Sequence, residues 1–446
     1  MKKQFFIDNR QRLIEHIKKE HSLQTGSVQT GSVQTGSVQT GSVSEGSIQD
    51  KPVFLWANFE KPTTSFVQES TFYYFSGIVE PGTVLKISLD GETTLFIPHT
   101  NGLRAQWVAD ALTADQKTAN ELGVDRVEYL GGECKGYASS PLFNQETCST
   151  LIDALKNESK IFTCYPQSGF HYTQQVAALD RLGTWVPELS SHITDISPLV
   201  ASMRRVKQQV EVEFIFKAVQ ITSTALAGAA QVVEAKRFEC DVQAGVEYVF
   251  TLSGASIAFP TIVASGKNGT ILHYEKNDAE LKEGELVIVD CGARVGHYCA
   301  DLTRTFPISG AFSEEQRKFY NIVLECQDYI SSLIKPGMYL NNKDKTAQSL
   351  HHLAVEFFDK KGLKKYFVHG IGHYLGLDPH DVGSLQEPLQ EGDVIAIEPG
   401  LYIPEKNIGI RIEDNYWVIQ DGAHCLSEDL PKACDEVEQL VQQALK

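Results

Sequence analysis

The chain of 446 residues lacks several features that would each have fixed a function class. No uninterrupted apolar run approaches the ~20 residues that a membrane helix requires. The N-terminal stretch MKKQFFIDNRQRLIEHIKKEH carries basic residues but no apolar run long enough for a secretory signal. The nine cysteines are odd in number and scattered, with no CxxC pair. That points to reduced thiols in a cytosolic compartment. Positive charge is also short: 40 Lys and Arg stand against 57 Asp and Glu, for a net charge of −17. Such an acidic balance argues against nucleic acid or an anionic membrane as the main partner.

The apolar share, 42%, is enough for sizeable cores, and the length predicts two or three domains. Phe6, Leu13, Ile14 and Ile17 at helical spacing predict a short amphipathic helix over 4–20. Residues 24–43 are four perfect copies of QTGSV. Glycine at every fifth position and no large side chain predict a flexible surface loop, with no catalytic role.

Strands are expected at 53–56, 84–87 and 93–97, with an Asp90-Gly91 turn between the last two, and helices at 104–122 and 145–157. This α/β pattern runs to about residue 195, where Pro187 and Pro198 bracket a linker. A long helix over 206–233 opens a second domain. Strands at 286–290, 297–306, 394–398 and 409–419 follow, with helices at 313–334 and 344–360. Ser313 and Gln316 form an S-x-x-Q capping box for the first of these helices. The connection from 290 to 297 is too short for a parallel crossover, so the second domain reads as α+β, an antiparallel sheet with helices on one face.

Five residues of this second domain carry the chemistry. Asp290 ends an apolar run in VDCGARVGHYCADLTRTF, and Asp301 follows eleven positions later, able to face it across a hairpin turned at Gly292 and Gly296. Two like charges so placed repel unless a cation lies between them. His373 lies in VHGIGHYLGLDPHD, Glu398 in IAIEPG and Glu413 in GIRIED, where Arg411 points the same way as Glu413. Any one of these alone reads as well as a turn aspartate, a surface ion pair or a core histidine. Together, four carboxylates and an imidazole suit a pair of hard divalent cations, and the imidazole tilts the choice to a transition metal such as Mn²⁺. Two such ions roughly 3.5–4 Å apart make a hydrolytic site. His369, His373 and His380 share one glycine-rich stretch.

These motifs resemble the pita-bread metallopeptidases, the family of aminopeptidase P, prolidase and methionine aminopeptidase, over about 196–435. The resemblance implies Asp290, Asp301, His373, Glu398 and Glu413 as ligands of two divalent ions. Asp301 and Glu413 would bridge, Asp290 would chelate one ion, and His373 and Glu398 would complete the other. It implies His273 of NGTILHYEKN and His380 as substrate-contacting, with His380 stabilising the tetrahedral intermediate. His369 would line the pocket, Glu398 would act as general base, and Arg411 would orient the site. Metal-free creatinase-like members and binding-module members of the family lose ligands; all five positions are filled here, which favours an enzyme over a non-catalytic binding module.

The run FVQESTFYYFSGIVEPG at 66–82 resembles the N-terminal domain of aminopeptidase P and prolidase, a creatinase-like α/β layer that shapes the substrate end. The implied organisation is 1–195 for that domain and 196–446 for the catalytic one. The implied activity is cleavage before proline, as an Xaa-Pro aminopeptidase in preference to an Xaa-Pro dipeptidase (prolidase). The implied partner is a proline-containing peptide, with a dimer or tetramer compatible with the resemblance.

Overall fold

A computed structural model describes residues 1–27, 51–61, 63–100, 104–108, 111–135, 144–167 and 171–444. The chain forms two compact units, Met1–Ala201 and Ser202–Lys446.

The first unit holds α1 (Lys3–Ser27), β1 (Val53–Trp56), α2 (Ser70–Ser76), β2 (Val84–Ile87), β3 (Thr93–Ile97), α3 (Gln116–Leu122), β4 (Arg126–Tyr129), α4 (Ser149–Lys156), β5 (Ile161–Thr163), α5 (Thr173–Gly183), α6 (Leu189–His192) and β6 (Ile193–Asp195). Its six-stranded sheet has the order β4-β3-β2-β1-β5-β6. The β1–β2 and β2–β3 pairs are antiparallel, and the outer pairs are parallel. Phe54 and Trp56 of β1 pack with Leu151, Ile152 and Leu155 of α4 and Ala178, Leu179 and Leu182 of α5. The helix α2 starts at Glu69, whose carboxylate accepts the Phe72 N–H at 2.6 Å, and stops at Gly77 in the left-handed region, φ 68°. Phe6 of α1 meets Tyr73 of α2 edge-on at 5.5 Å.

Three expectations for this unit need correction. The first helix continues past residue 20 to Ser27, so the first four residues of the QTGSV tract complete a helix already under way; adding a residue to a formed helix is far cheaper than nucleating one. The rest of the tract lies outside the described residues. The helix expected over 104–122 is a single turn at Arg104–Gln106 and then α3. Asp115 accepts the Thr118 N–H at 2.8 Å and so sets a fresh helix start there. The segment between Pro187 and Pro198 is no open linker. It forms α6 and then β6, which pairs with β5, and Pro198 sits in the first turn of α7 (Ser197–Arg205), where a missing N–H costs no helix bond.

The second unit holds α8 (Gln209–Ala230), α9 (Glu239–Leu252), β7 (Ser256–Ile257), β8 (Ile262–Ser265), β9 (Leu286–Cys291), β10 (Ala293–Val295), β11 (Tyr298–Cys299), β12 (Leu302–Pro307), α10 (Glu314–Ser331), α11 (Leu350–Lys360), β13 (Gly372–Tyr374), β14 (Val394–Ile397), β15 (Gly400–Ile403), β16 (Ile408–Arg411), β17 (Asp414–Ile419), β18 (Gly422–Cys425) and α12 (Cys434–Ala444). Every strand pair within it is antiparallel, with sheets β12-β9-β8 and β13-β14-β17-β18 as the main layers, beside β11-β10-β7 and the hairpin β15-β16. This is the α+β arrangement expected. Leu286 to Val289 of β9 are at most 2% exposed, and each such side chain contributes roughly 1.5–3 kcal/mol by leaving water. The capping box at α10 is present in both directions: Ser313 Oγ accepts the Gln316 N–H and Gln316 Oε1 accepts the Ser313 N–H.

Two long strands expected from sequence are each broken in two. The 297–306 segment pauses at Ala300 and Asp301, where the Asn415 carboxamide takes over the backbone bonds of Asp301 in both directions, 3.1 and 2.6 Å. The 409–419 segment leaves one sheet at Arg411 and enters another at Asp414. Both breaks fall at residues of the candidate site, and Thr303 and Glu413 form the backbone bridge between the two main sheets.

Candidate metal centre

The site builds up at that seam. In the β9–β12 register Thr303 lies opposite Asp290, so Asp301, two residues earlier, shares its face and sits diagonally from Asp290. Gly296 and His297, both at positive φ (54° and 71°), make the two-residue turn between β10 and β11 that starts the chain back. His373 pairs with Ala396, and Glu398 follows β14 with its N–H on the Ile371 carbonyl at 2.9 Å. This pairing is close: a Cβ on Gly372 would run into the Ala396 carbonyl oxygen.

All five expected ligand residues converge. Ligand atoms of Asp290, Asp301 and Glu413 lie within 4.8 Å of one another, as do those of His373, Glu398 and Glu413 and those of Asp301, His373 and His380. The first two sets share Glu413, which is where a residue between two ions would stand. The His373 and His380 rings are 4.1 Å apart. His273 is exposed on the surface, and His369 is half-buried with its Nε2 2.9 Å from the Tyr402 hydroxyl.

The electrostatics show a deficit of positive charge. Burial, then Asp290 and Glu398, push the Asp301 carboxyl well above its ordinary range. Burial, then Asp301 and Glu398, do the same for Glu413. Glu398 is raised to about 8, by burial first and by Asp290, against the pull of Arg411. His373 is lowered to about 3, by burial and then by His380. Asp290 Oδ1 is buried and accepts no hydrogen bond. Oxygen-rich ligands, a neutral imidazole and a buried acceptor left over are the donor set that divalent cations require.

One cation of the protein's own reaches the cluster. Arg411 donates from Nη2 to Asp290 Oδ2 at 2.6 Å, from Nε to Thr303 Oγ1 at 3.2 Å, and from Nη1 to the Tyr402 hydroxyl at 2.9 Å. Thr303 Oγ1 in turn donates to Glu413 Oε2 at 2.7 Å. Thr303 and Tyr402 were missed in the sequence. Thr303 could have been found by its place on the face of Asp301; Tyr402 offered only its position in EPGLYIP, four residues beyond Glu398.

A family model described as metallopeptidase family M24 matches residues 213–420, and one described as aminopeptidase P, N-terminal domain, matches 57–137. The Xaa-Pro aminopeptidase of Escherichia coli is 32% identical over 411 residues, covering 85% of this chain and 90% of that protein. An Xaa-Pro dipeptidase of Pyrococcus furiosus is 37% identical over 238 residues, covering 52% of this chain and 66% of that one. Among solved structures, E. coli aminopeptidase P with the inhibitor Pro-Leu superposes with a TM-score of 0.78 at 26% identity, covering 100% of this chain and 99% of that chain.

Proposed function

The chain belongs to metallopeptidase family M24, and on that footing we propose that it cleaves the peptide bond between an N-terminal residue and a following proline, at a centre of two divalent ions held by Asp290, Asp301, His373, Glu398 and Glu413. The observation that carries the ligand assignment is the crowding of buried carboxylates whose charges the protein alone does not balance. Asp301 and Glu413 would bridge the two ions, with Asp290 held to one of them and His373 and Glu398 to the other. The single imidazole among carboxylates supports Mn²⁺ as the metal. The proposed organisation is an N-terminal domain over 1–195 and a catalytic domain over 196–446.

Ions bound there would polarise the scissile carbonyl and lower the pKa of water at the centre. Glu398 takes the proton from the attacking water and delivers it to the proline nitrogen as that nitrogen leaves. His380 donates a hydrogen bond to the carbonyl oxygen as negative charge develops on it. His273 and His369 line the substrate path, and Arg411 fixes Asp290 and Tyr402 in place. Proline matters because its nitrogen offers no N–H to a peptidase that depends on that donor. Nine free cysteines support a reducing, cytoplasmic setting, and among the described residues no helix is long and apolar enough to cross a membrane.

A second reading, an Xaa-Pro dipeptidase, is favoured by the 37% identity over 238 residues to the P. furiosus enzyme. One experiment separates the two. With Mn²⁺ present, an Xaa-Pro-Yaa tripeptide is expected to be cut at least as well as an Xaa-Pro dipeptide, and cleavage confined to the dipeptide would reverse the order. Chelation is expected to abolish hydrolysis of either and Mn²⁺ to restore it; full turnover in chelator would sink the two-ion reading.

A further inference from the structure

Beside the metal centre lies a second buried charge cluster that the reaction scheme does not use. Arg204, at the end of α7, and Lys207, just after it, have side chains 1% and 0% exposed. Both aim at Asp381, itself 1% exposed: Arg204 Nη2 lies 2.6 Å from Oδ1 and Lys207 Nζ 2.9 Å from Oδ2. The same Arg204 Nη2 reaches Asp378 Oδ2 at 2.8 Å. One guanidinium therefore grips the chain on both sides of Pro379-His380. The loop behind is pinned as well. The Asp381 N–H donates to the Tyr374 carbonyl at 2.9 Å, Arg294 Nη1 to the Leu377 carbonyl at 3.0 Å, and the Cys299 N–H to the Gly376 carbonyl at 2.8 Å. Gly376 leaves the room: a Cβ there would collide with Asp381 Oδ2 and lie 2.8 Å from Lys207 Nζ.

Burying three charges to hold a turn is costly, and apolar packing would compact the loop at less expense. What directed ion pairs add is a single geometry. Among the described residues the His380 ring has no ion pair of this kind; it lies 4.1 Å from the His373 ring in an exposed residue.

We propose that Arg204 and Lys207 are positioning residues for the reaction, a clamp on Asp378 and Asp381 that fixes the His380 imidazole at the carbonyl oxygen. This inference rests on the role given to His380 above. Because 174 positions separate Lys207 from Asp381, nothing local in the glycine-rich motif announces the clamp.

The test is a cycle of Lys207→Met, His380→Ala and the double variant in the full-length, Mn²⁺-loaded protein, reading kcat, KM, bound metal and melting temperature. Lys207→Met keeps the Arg204–Asp381 pair and is expected to lower kcat roughly 10- to 100-fold, the cost of a small misplacement of a reacting group, with KM and metal content nearly unchanged. In the His380→Ala background the same change should cost kcat nothing further, while the melting temperature still falls. Full turnover in Lys207→Met, or a loss that multiplies with that of His380→Ala, would overturn the clamp. If His380→Ala alone turns over normally, the assignment of His380 fails instead. Should Lys207→Met not fold, Asp378→Asn, whose side chain is 30% exposed, replaces it in the same cycle with the same outcomes at smaller amplitude.

Discussion

Two kinds of buried acid sit within the second unit, and they behave in opposite ways. Asp381 and Asp414 are each matched by cations at contact distance: Arg204 and Lys207 for the first, Arg304 at 2.7 Å for the second. Burial works to raise the Asp381 carboxyl, but Lys207 and Arg204 outweigh it and hold the group below its ordinary range. Asp301 and Glu413 are equally buried and are pushed far up, by burial first and then by the other carboxylates beside them. Asp414 and Glu413 are adjacent in sequence. A change from one residue to the next separates an acid whose counter-ion is built into the chain from one that meets mainly other carboxylates, as the proposed ion pair would require.

The contrast can be broken or sharpened in order of effect. Asp301→Asn should remove about 10³-fold or more of the turnover, as loss of a group acting in the transition state does, and reduce the bound metal. The same variant, studied metal-free, should melt higher than metal-free wild type, because a repulsion is gone; a lower melting point would mean Asp301 is balanced after all. Asp414→Asn should do the reverse. It leaves Arg304 buried without its charge partner and should cost about 3–5 kcal/mol in denaturant unfolding. Tyr402→Phe strips one partner from Arg411 and from His369 and should reduce kcat/KM about tenfold, in line with losing a hydrogen bond to a charged group.

The smallest effect lies away from both clusters. His297 is lowered to about 4, by burial and then by Arg294. Unfolded chains bind this proton from about pH 6.5 and the folded one from about 4, so stability contributed at neutral pH is lost as pH falls through that window. His297→Asn keeps a residue that tolerates the positive φ of 71° and removes the titration. At pH 5 it should recover about 1–2 kcal/mol relative to wild type, and at pH 7.5 it should recover none, as read from urea melts at the two pH values.

The apolar runs before the carboxylates were legible, though not their last residues: β14 stops at Ile397, just before Glu398, while β9 runs past Asp290 to Cys291. The capping box at Ser313 and the antiparallel α+β order were legible for the same local reasons. What stayed hidden was long-range. The break of 409–419 into two sheets depends on Thr303, 110 positions away, taking the Glu413 carboxylate, and the split at Asp301 depends on Asn415. The helix expected at 104–122 failed locally, because Asp115 can serve as a cap as well as an interior residue, and propensity does not choose.

The Thr303–Glu413 bridge has one more consequence. Asp290 and Asp301 hang from one sheet, while His373, Glu398 and Glu413 belong to the other, so an ion shared between them would act as a rivet through two plates. The chain already stitches the plates with Arg411 on Asp290, Arg304 on Asp414 and the Asn415 carboxamide on Asp301, so the rivet would add to a seam that holds on its own. Anything that binds the seam and not the unfolded chain tightens it, so loading the centre should show as a higher melting temperature.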